Sequence, residues 1–285
     1  MGKMSDVLQK GGREIKEPSL EGSSLPQEQV APSPRPGQGR DRVMPPRPMD
    51  YAGPRREELE RLVSFYSPSS SQGKRIDILR SQLLYPFQGE PPRIIMITSA
   101  APREGRSLLA ANLAISFSRG LQQYVMVIDC HLHRPEMHRL LGVPRRPGLA
   151  DYLEHSAEVP DIIHWTKMDK LSVIPAGSPS QRSSELLGTD RMAELLDELR
   201  ARYSDRYILL DTPPVQAVDD PAVLARLVEG IIFVVLSGDT DREVVLRGLG
   251  RLPADRIIGV VMNDRLQAVS DGTNVATPEG IEEMA

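Results

Sequence analysis

Residues 94–107 read Ile-Ile-Met-Ile-Thr-Ser-Ala-Ala-Pro-Arg-Glu-Gly-Arg-Ser, an apolar run followed by a loop. The order is typical of a phosphate-binding loop, G-x-x-x-x-G-K-[ST], in which backbone N–H groups surround the phosphates and the Lys reaches the β- and γ-phosphates. Gly105 and Ser107 fit this form, whereas Ala100 stands in place of the first Gly and Arg106 in place of the Lys. The stretch predicts a nucleotide site between a strand and a helix, with an altered cation at its centre.

Strand-like and helix-like segments alternate after this loop. Several of the strand-like runs are continuously apolar, as expected of strands that are buried on both faces of a parallel sheet. The predicted strands are residues 93–98, 124–129, 171–175, 207–211, 230–235 and 257–262. The predicted helices between them are residues 107–119, 189–203, 220–228 and 241–250. This order predicts an α/β fold with a doubly wound, mostly parallel sheet of the P-loop NTPase type, which binds ligands at the carboxyl ends of its strands.

Composition divides the chain into three parts. Residues 1–72 carry ten of the 25 prolines and few regularly spaced apolar residues, which predicts a disordered Pro-rich tail with room for one short helix at 54–66. Residues 73–266 are predicted to form the P-loop NTPase domain, and residues 267–285 a flexible C-terminal tail without tyrosine. A further helix is expected at 75–84, which either docks on the domain or contacts another subunit.

Charge and residue usage exclude several classes of function. A net charge of −4 argues against a nucleic-acid-binding protein, which would carry a basic excess. The single cysteine, Cys130, fits a reducing cytoplasm. No apolar run has the length of a transmembrane helix, and no signal peptide opens the sequence. We therefore expect a cytoplasmic protein that reaches the membrane only through a partner.

Two acidic residues end apolar strand-like runs. Asp129 and Asp211 occupy these positions, and carboxylates at neighbouring strand ends are the usual means of holding a phosphate-bound Mg²⁺. Ser107 is predicted as the third Mg²⁺ ligand, and Arg106, Asp129 and Asp211 as the catalytic residues. The predicted cofactors are ATP and Mg²⁺. The predicted nucleotide-binding residues are Ala101, Pro102, Arg103, Glu104, Gly105, Arg106, Ser107, Leu108 and Asn263, of which Asn263 is equally well read as a turn residue.

Several further motifs occur in a characteristic order. They are residues 97–105, 111–114, 148–153, 174–177, 184–187 and 211–215. With these motifs, residues 74–265 resemble the bacterial tyrosine kinases of capsule and exopolysaccharide systems. The resemblance implies a cytoplasmic, ATP-dependent tyrosine kinase at the inner face of the plasma membrane. It also implies activation by a membrane polysaccharide co-polymerase, or chain-length regulator, and leaves self-association open.

The catalytic motifs depart from the family pattern. The family motif D-x-D-x-R keeps its first acid as Asp129, but its second acid and its Arg are replaced by His131 and His133. Arg106 retains a positive charge, but its planar guanidinium is not equivalent to a compact ammonium. Losing one positioned catalytic group commonly costs about 10²–10⁴-fold in rate. We therefore predict that ATP binding is retained and that kinase activity is weakened.

Two other family features have also changed. Members phosphorylate a tyrosine-rich C-terminus, whereas the last tyrosine of this chain is Tyr207. The family contact motif E-x-x-R-x-x-R falls on residues 74–80, where Lys74 and Asp77 reverse the first two charges.

Other functions remain as alternatives. One is a non-catalytic regulatory or scaffold paralogue of the same pathway. Another is an ATPase that positions cell-division or partition complexes, although such proteins carry an additional Lys where this chain has Ala101. A zinc or copper site built from Cys130, His131, His133 and His138 is disfavoured because their spacing matches no standard structural site.

Overall fold

A computed structural model describes residues 61–203 and 205–264. The strands of this part are β1 (Ile94–Ser99), β2 (Tyr124–Asp129), β3 (His164–Trp165), β4 (Leu171–Ile174), β5 (Arg206–Asp211), β6 (Gly230–Leu236) and β7 (Ile257–Asn263). Its helices are α1 (Val63–Tyr66), α2 (Ser71–Leu84), α3 (Arg106–Ser118), α4 (Met137–Leu140), α5 (Leu149–Leu153), α6 (Val159–Ile162), α7 (Ser183–Leu187), α8 (Asp190–Arg202), α9 (Asp220–Leu224) and α10 (Arg242–Leu249). A 3₁₀ turn, Ala254–Arg256, precedes β7.

The strands form one sheet in the order β3-β4-β2-β5-β1-β6-β7. Neighbouring strands are parallel except for β3 and β4, which are antiparallel. The predicted doubly wound, mostly parallel sheet is thus confirmed. After β1 the chain continues to β2 and β4, which lie on one side of β1 within the sheet. After β5 it passes β1 and continues to β6 and β7, which lie on the other side of β1. The loop after β1 therefore opens at the topological switch point, where ligands bind in open α/β sheets.

Apolar layers cover both faces of the sheet. Helix α3 packs on one face and is buried along nearly its whole length, with Phe117 fully enclosed. Helix α8 packs on the other face through a narrow stripe. The spacing of four apolar residues in the sequence places them on one side of this helix, and all four are buried: Met192, Leu195, Leu196 and Leu199. Because full burial of one such side chain contributes about 1.5–3 kcal/mol, these layers hold the strand ends in fixed positions.

Helices α1 and α2, which precede β1 in the described part of the chain, pack against α3. The Ser64 backbone N–H donates to Asn112 Oδ1 at 2.9 Å. Asp77, one of the reversed charges, accepts a hydrogen bond from the Ser116 hydroxyl and lies 3.9 Å from Arg119. Asp77 therefore joins α2 to α3 within this chain, which agrees with the docking alternative. The part of the predicted helix 54–66 that precedes residue 61 lies outside the described residues.

The region between β2 and α8 contains short elements that the sequence pattern did not predict. Helices α4 to α7 have four or five residues each, and β3 has two. Segments of this length contain barely one helical turn, so they carry no measurable hydrophobic period. The predicted helix at 220–228 is likewise shorter, because the chain turns after Leu224 to enter β6. None of the helices within residues 61–264 combines the length and apolar composition of a bilayer-spanning segment.

Candidate functional site

The loop between β1 and α3 takes a conformation that only glycine fits at its end. Gly105 has φ +88°, in the left-handed region, and a Cβ at this position would lie 2.2 Å from Asn263 Nδ2. Arg103 also has a positive φ of 69°. Ala100, by contrast, is absent from the positive-φ residues of the described chain, so an Ala replaces the usual Gly there without backbone strain.

Glu104 braces this loop from within. Its buried carboxylate accepts hydrogen bonds from the Ala101 N–H at 2.6 Å, the Thr240 hydroxyl at 2.6 Å and the Leu236 N–H at 3.3 Å. The Asn263 side-chain amide donates to the Glu104 carbonyl at 2.8 Å. The loop is therefore fixed to the ends of β6 and β7, and both Glu104 and Asn263 support the phosphate loop through these contacts.

The loop and the two strand-terminal acids meet at one edge of the sheet. Asp129 and Asp211 stand opposite each other at the ends of the paired strands β2 and β5. Arg106 Nε lies 4.0 Å from Asp211 Oδ1, and Ser107 is the next residue of α3. The structure thus brings together all four residues predicted for metal binding and catalysis.

Asp129 is fully buried in a ring of backbone donors. Its carboxylate accepts hydrogen bonds from the N–H groups of His131, Glu136 and Met137, at 3.0–3.1 Å. Burial, followed by the charge of Asp211, raises the pKa of Asp129 to about 8, and the three backbone N–H groups oppose this increase. Ionisation of both acids is therefore unfavourable unless a cation joins them.

Asp211 is equally buried but less satisfied. No residue of the described chain donates a hydrogen bond of normal geometry to either of its oxygens. Burial raises the pKa of Asp211 to about 6, while Arg106 and the nearby Ser107 hydroxyl lower it. An unsatisfied buried carboxylate beside a second carboxylate and a hydroxyl is a donor set that suits a hard divalent cation.

The two departures from the family pattern touch each other. Arg106 Nε donates to the Thr212 carbonyl at 2.5 Å, and its Nη2 lies 3.3 Å from His131 Nδ1. Burial, together with the charge of Arg106, lowers the pKa of His131 to about 3. The ring is therefore neutral near pH 7, and its Nδ1 accepts the hydrogen bond. Within the described residues Nη1 of Arg106 has no acceptor, so part of the guanidinium remains for a phosphate.

His133 is directed to a different set of partners. Its Nε2 lies 2.7 Å from the Ser183 hydroxyl, which itself donates to the buried Asp220 at 3.1 Å. Cys130 is buried in the core, and no three His, Cys, Asp or Glu side chains of the described segments are grouped to hold a metal. The two histidines therefore belong to separate contacts, and His133 links the acidic motif to α7 and α9.

Comparison with known proteins agrees with this geometry. No protein-family model matches the chain. The tyrosine-protein kinase YwqD of Bacillus subtilis is 28% identical over 206 residues, which cover 72% of this chain and 86% of YwqD. The solved kinase domain of the Escherichia coli tyrosine kinase ETK superposes with a TM-score of 0.67 at 28% identity, covering 76% of this chain and 84% of that domain. The chain is a homologue of the bacterial tyrosine kinases.

The match to longer kinases is confined to one part of them. The tyrosine-protein kinase etk of E. coli K12 is 33% identical over 181 residues, which are 63% of this chain and 24% of that protein. This kinase homologue thus spans about a quarter of the length of such relatives and most of the length of YwqD.

The remaining predicted ligand residues of this kinase homologue lie around the loop. Pro102 and Arg103 are exposed at its tip, and Leu108 is half-buried in the first turn of α3. Pattern matching missed the Thr212 carbonyl, which binds Arg106, because every residue carries a carbonyl and none is marked by its side chain. It also missed Ser183, which contacts His133, and Asp220, which accepts from Ser183, because only the tertiary fold brings these residues together.

Proposed function

We propose that this chain is an ATP-binding protein of the bacterial tyrosine-kinase type that acts in exopolysaccharide or capsule biosynthesis with weakened kinase activity. The observation that carries the proposal is the braced phosphate loop, in which Arg106 keeps Nη1 available beside Asp129 and Asp211. Nucleotide binding needs these groups together. Phosphoryl transfer also needs the second acid of the family motif, which is replaced by His131 in this chain.

The nucleotide phosphates would be bound by the loop and the start of α3. Backbone N–H groups of residues 103–107 and Arg106 Nη1 would face the phosphates, and the N-terminus of α3 favours negative charge. Ser107, Asp129 and Asp211 would hold Mg²⁺, which neutralises phosphate charge when bound. Asn263 supports the loop through Glu104, and an additional contact with adenine is part of the proposal.

The weak step is proton removal from the acceptor hydroxyl. The family places an Asp where this chain has His131, and the Nδ1 lone pair of His131 is engaged by Arg106. His131 cannot accept a proton at Nδ1 without giving up that contact. Catalysis is thus weakened at the residue that would position or deprotonate the acceptor, while the loop stays intact.

The cellular role follows from the relatives. Those described above are all named as tyrosine kinases, which favours a kinase over the non-catalytic regulatory alternative. We propose that the protein works in the cytoplasm, at the inner face of the plasma membrane, as the partner of a membrane polysaccharide co-polymerase. It binds no nucleic acid, and its contact with the membrane is through that partner.

A paired assay tests this proposal. Mg-ATP binding is titrated by calorimetry, and phosphotyrosine formation is followed by immunodetection, for wild type and the Arg106→Lys/His131→Asp double variant. Wild type is expected to bind Mg-ATP weakly and form little phosphotyrosine, whereas the double variant gains phosphorylation. Arg247→Lys, the same exchange at an exposed position of α10 outside the loop, is the matched control and leaves both readouts unchanged.

Two results would contradict the proposal. Wild-type phosphorylation equal to that of the double variant would refute weakened catalysis. Absence of Mg-ATP binding in wild type, with a folded protein by circular dichroism, would refute nucleotide binding.

A further inference from the structure

Three polar side chains meet on the nucleotide-binding edge of the sheet, apart from the residues assigned to phosphate and metal. His133 lies in the loop after β2, Ser183 begins α7 after β4, and Asp220 begins α9 after β5. Segments that follow parallel strands open at the carboxyl edge of the sheet, where Asp129 and Asp211 also lie. The three residues therefore form one cluster, the His133 cluster, on the edge where the reaction would take place.

Asp220 contributes a buried carboxylate without a cation. The residue is 0% exposed, and its Oδ1 accepts hydrogen bonds from the hydroxyls of Ser183 and Ser184. Its Oδ2 has no hydrogen-bond partner among the described residues, and none of their ion pairs involves Asp220. Such a group is costly to bury, so it stabilises a positive charge that develops nearby.

The contacts of Ser183 determine which nitrogen of His133 carries the proton. Ser183 donates its single hydroxyl proton to Asp220 at 3.1 Å. Nε2 of His133 lies 2.7 Å from the same hydroxyl oxygen, so Nε2 must hold a proton and donate it to Ser183. A neutral imidazole that is protonated at Nε2 has its lone pair on Nδ1. The cluster therefore makes Nδ1 the basic atom of His133.

Nδ1 of His133 is also accessible. In the part of the chain that the structure describes, it has no hydrogen-bond partner and is not among the buried unsatisfied atoms. Nδ1 of His131, in contrast, is engaged by Arg106. Burial, then Arg106 and then His133 lower the pKa of His131 to about 3, so the ring of His133 lies close enough to this site to affect it. Of the two histidines, His133 has the available basic atom.

We propose that His133 accepts the proton during phosphoryl transfer, in place of the acid that is lost at position 131, and that Ser183 and Asp220 are positioning residues that act through it. This inference rests on the proposed function, because it names the base of that reaction. The hydroxyl proton of the acceptor tyrosine moves to Nδ1 of His133 while the hydroxyl oxygen bonds to the γ-phosphorus of ATP. The bond from that phosphorus to the bridging oxygen breaks, and ADP leaves with its electron pair. The imidazolium then returns its proton to solvent.

The relay accounts for slow transfer as well as for transfer itself. A neutral imidazole is a suitable proton acceptor near pH 7. Asp220 acts on the ring through the Ser183 hydroxyl instead of touching it, so it stabilises the imidazolium less than a carboxylate in direct contact would. A base supported in this way agrees with a kinase of weakened activity.

Chemical rescue with imidazole tests the proton acceptor in the full-length protein. Transfer of radiolabelled phosphate from Mg-ATP to a synthetic poly(Glu,Tyr) acceptor is measured with and without free imidazole. His133→Ala leaves room for the ring and is expected to lower kcat about 10²-fold or more, of which imidazole restores about tenfold or more. His133→Gln keeps a side-chain N–H for Ser183 but has no base, so it is expected to lose as much activity and to gain nothing from imidazole.

The positioning role of Asp220 has its own readout. Asp220→Asn preserves the size of the side chain and removes its charge, and it is expected to lower kcat about 10-fold or more with an unchanged KM for Mg-ATP. In the background of His133→Ala it is expected to reduce the rescue, because free imidazolium then lacks the carboxylate. A purely structural role would leave the size of the rescue unchanged.

His155→Gln is the matched control, because His155 is exposed on the turn after α5. It is expected to retain the wild-type kcat with and without imidazole, and circular dichroism verifies that every variant is folded. Absence of transfer by wild type, full activity of His133→Gln, or a His133→Ala variant that does not respond to imidazole would each overturn the inference. Mg-ATP titration separates the two proposals: these outcomes with binding retained refute the base alone, whereas wild type that binds no Mg-ATP refutes the proposed function.

Discussion

The contact between Arg106 and His131 can be measured by a double-mutant cycle. The perturbations are Arg106→Lys, His131→Ala and the two together, each compared with wild type. Lys also loses the hydrogen bond from Nε to the Thr212 carbonyl. That loss occurs both with and without His131, so it cancels in the cycle. The remaining coupling energy reports the contact between Nη2 and Nδ1.

The structure sets the size of this coupling. The Arg106 side chain is 8% exposed, so solvent screens the contact only weakly. A hydrogen bond from a charged donor contributes about 1.5–3 kcal/mol. The Nη2–Nδ1 distance of 3.3 Å is long, which places this bond near the lower end of that range. We expect a coupling of about 1.5 kcal/mol, which corresponds to about 3–6 °C in Tm for a domain of this size.

The assay is urea unfolding of the nucleotide-free protein, followed by circular dichroism at pH 7. Because the pKa of His131 is lowered to about 3, the ring stays a neutral acceptor throughout the usual buffer range. His133→Ala is the matched control, since His133 contacts Ser183 and is expected to be additive with Arg106→Lys. Additivity of Arg106→Lys and His131→Ala within about 0.5 kcal/mol would refute the contact.

Three further predictions concern the acids and the loop. Raised pKa values mean that the folded state holds protons on Asp129 and Asp211 which the unfolded chain releases above its own pKa near 4. In EDTA, Tm should therefore fall as the pH rises through the folded-state pKa values of Asp211, about 6, and Asp129, about 8. Asp211→Asn should flatten this decrease, and an unchanged slope in that variant would show that other groups cause it. Gly105→Ala should destabilise the protein by at least about 1–2 kcal/mol in urea unfolding, because of its positive φ and the contact with Asn263. Asn263→Ala in the same background should restore only part of this loss, and full restoration would exclude the backbone contribution. Glu104→Ala should cost about 2–4 kcal/mol by leaving buried N–H and hydroxyl donors unpaired, measured by urea unfolding, and a loss below about 1 kcal/mol would exclude the bracing role.

The sheet could be predicted from sequence because its signals are local. Continuous apolar runs such as 230–235 mark strands buried on both faces, and the structure extends this one by a single residue. The buried side of α8 could be predicted equally well, because its apolar residues recur with the period of a helix. The short helices between β2 and α8 could not be predicted, because their positions depend on packing against the sheet edge and not on their own period.

The residues of the candidate site could be predicted from local sequence signals, whereas the contacts between them could not. Asp129 and Asp211 were found because each ends a strand, and the parallel sheet then places them side by side. The replacements at Arg106 and His131 were visible, but their contact joins residues 25 positions apart and needed the fold. The role of Asn263 also needed the fold, since no motif indicates that its side-chain amide donates to the Glu104 carbonyl.

Glu104 also determines when the loop becomes competent during synthesis. It binds Leu236, which is 132 residues later in the chain, and its carbonyl receives Asn263, which is 159 residues later. A ribosome-bound chain that has produced β1 and α3 therefore has the loop residues but not the groups that fix their conformation. The loop is completed only when β7 docks, so nucleotide binding reports folding of the chain through residue 263. Chains that stop before residue 264 should be unable to compete for ATP.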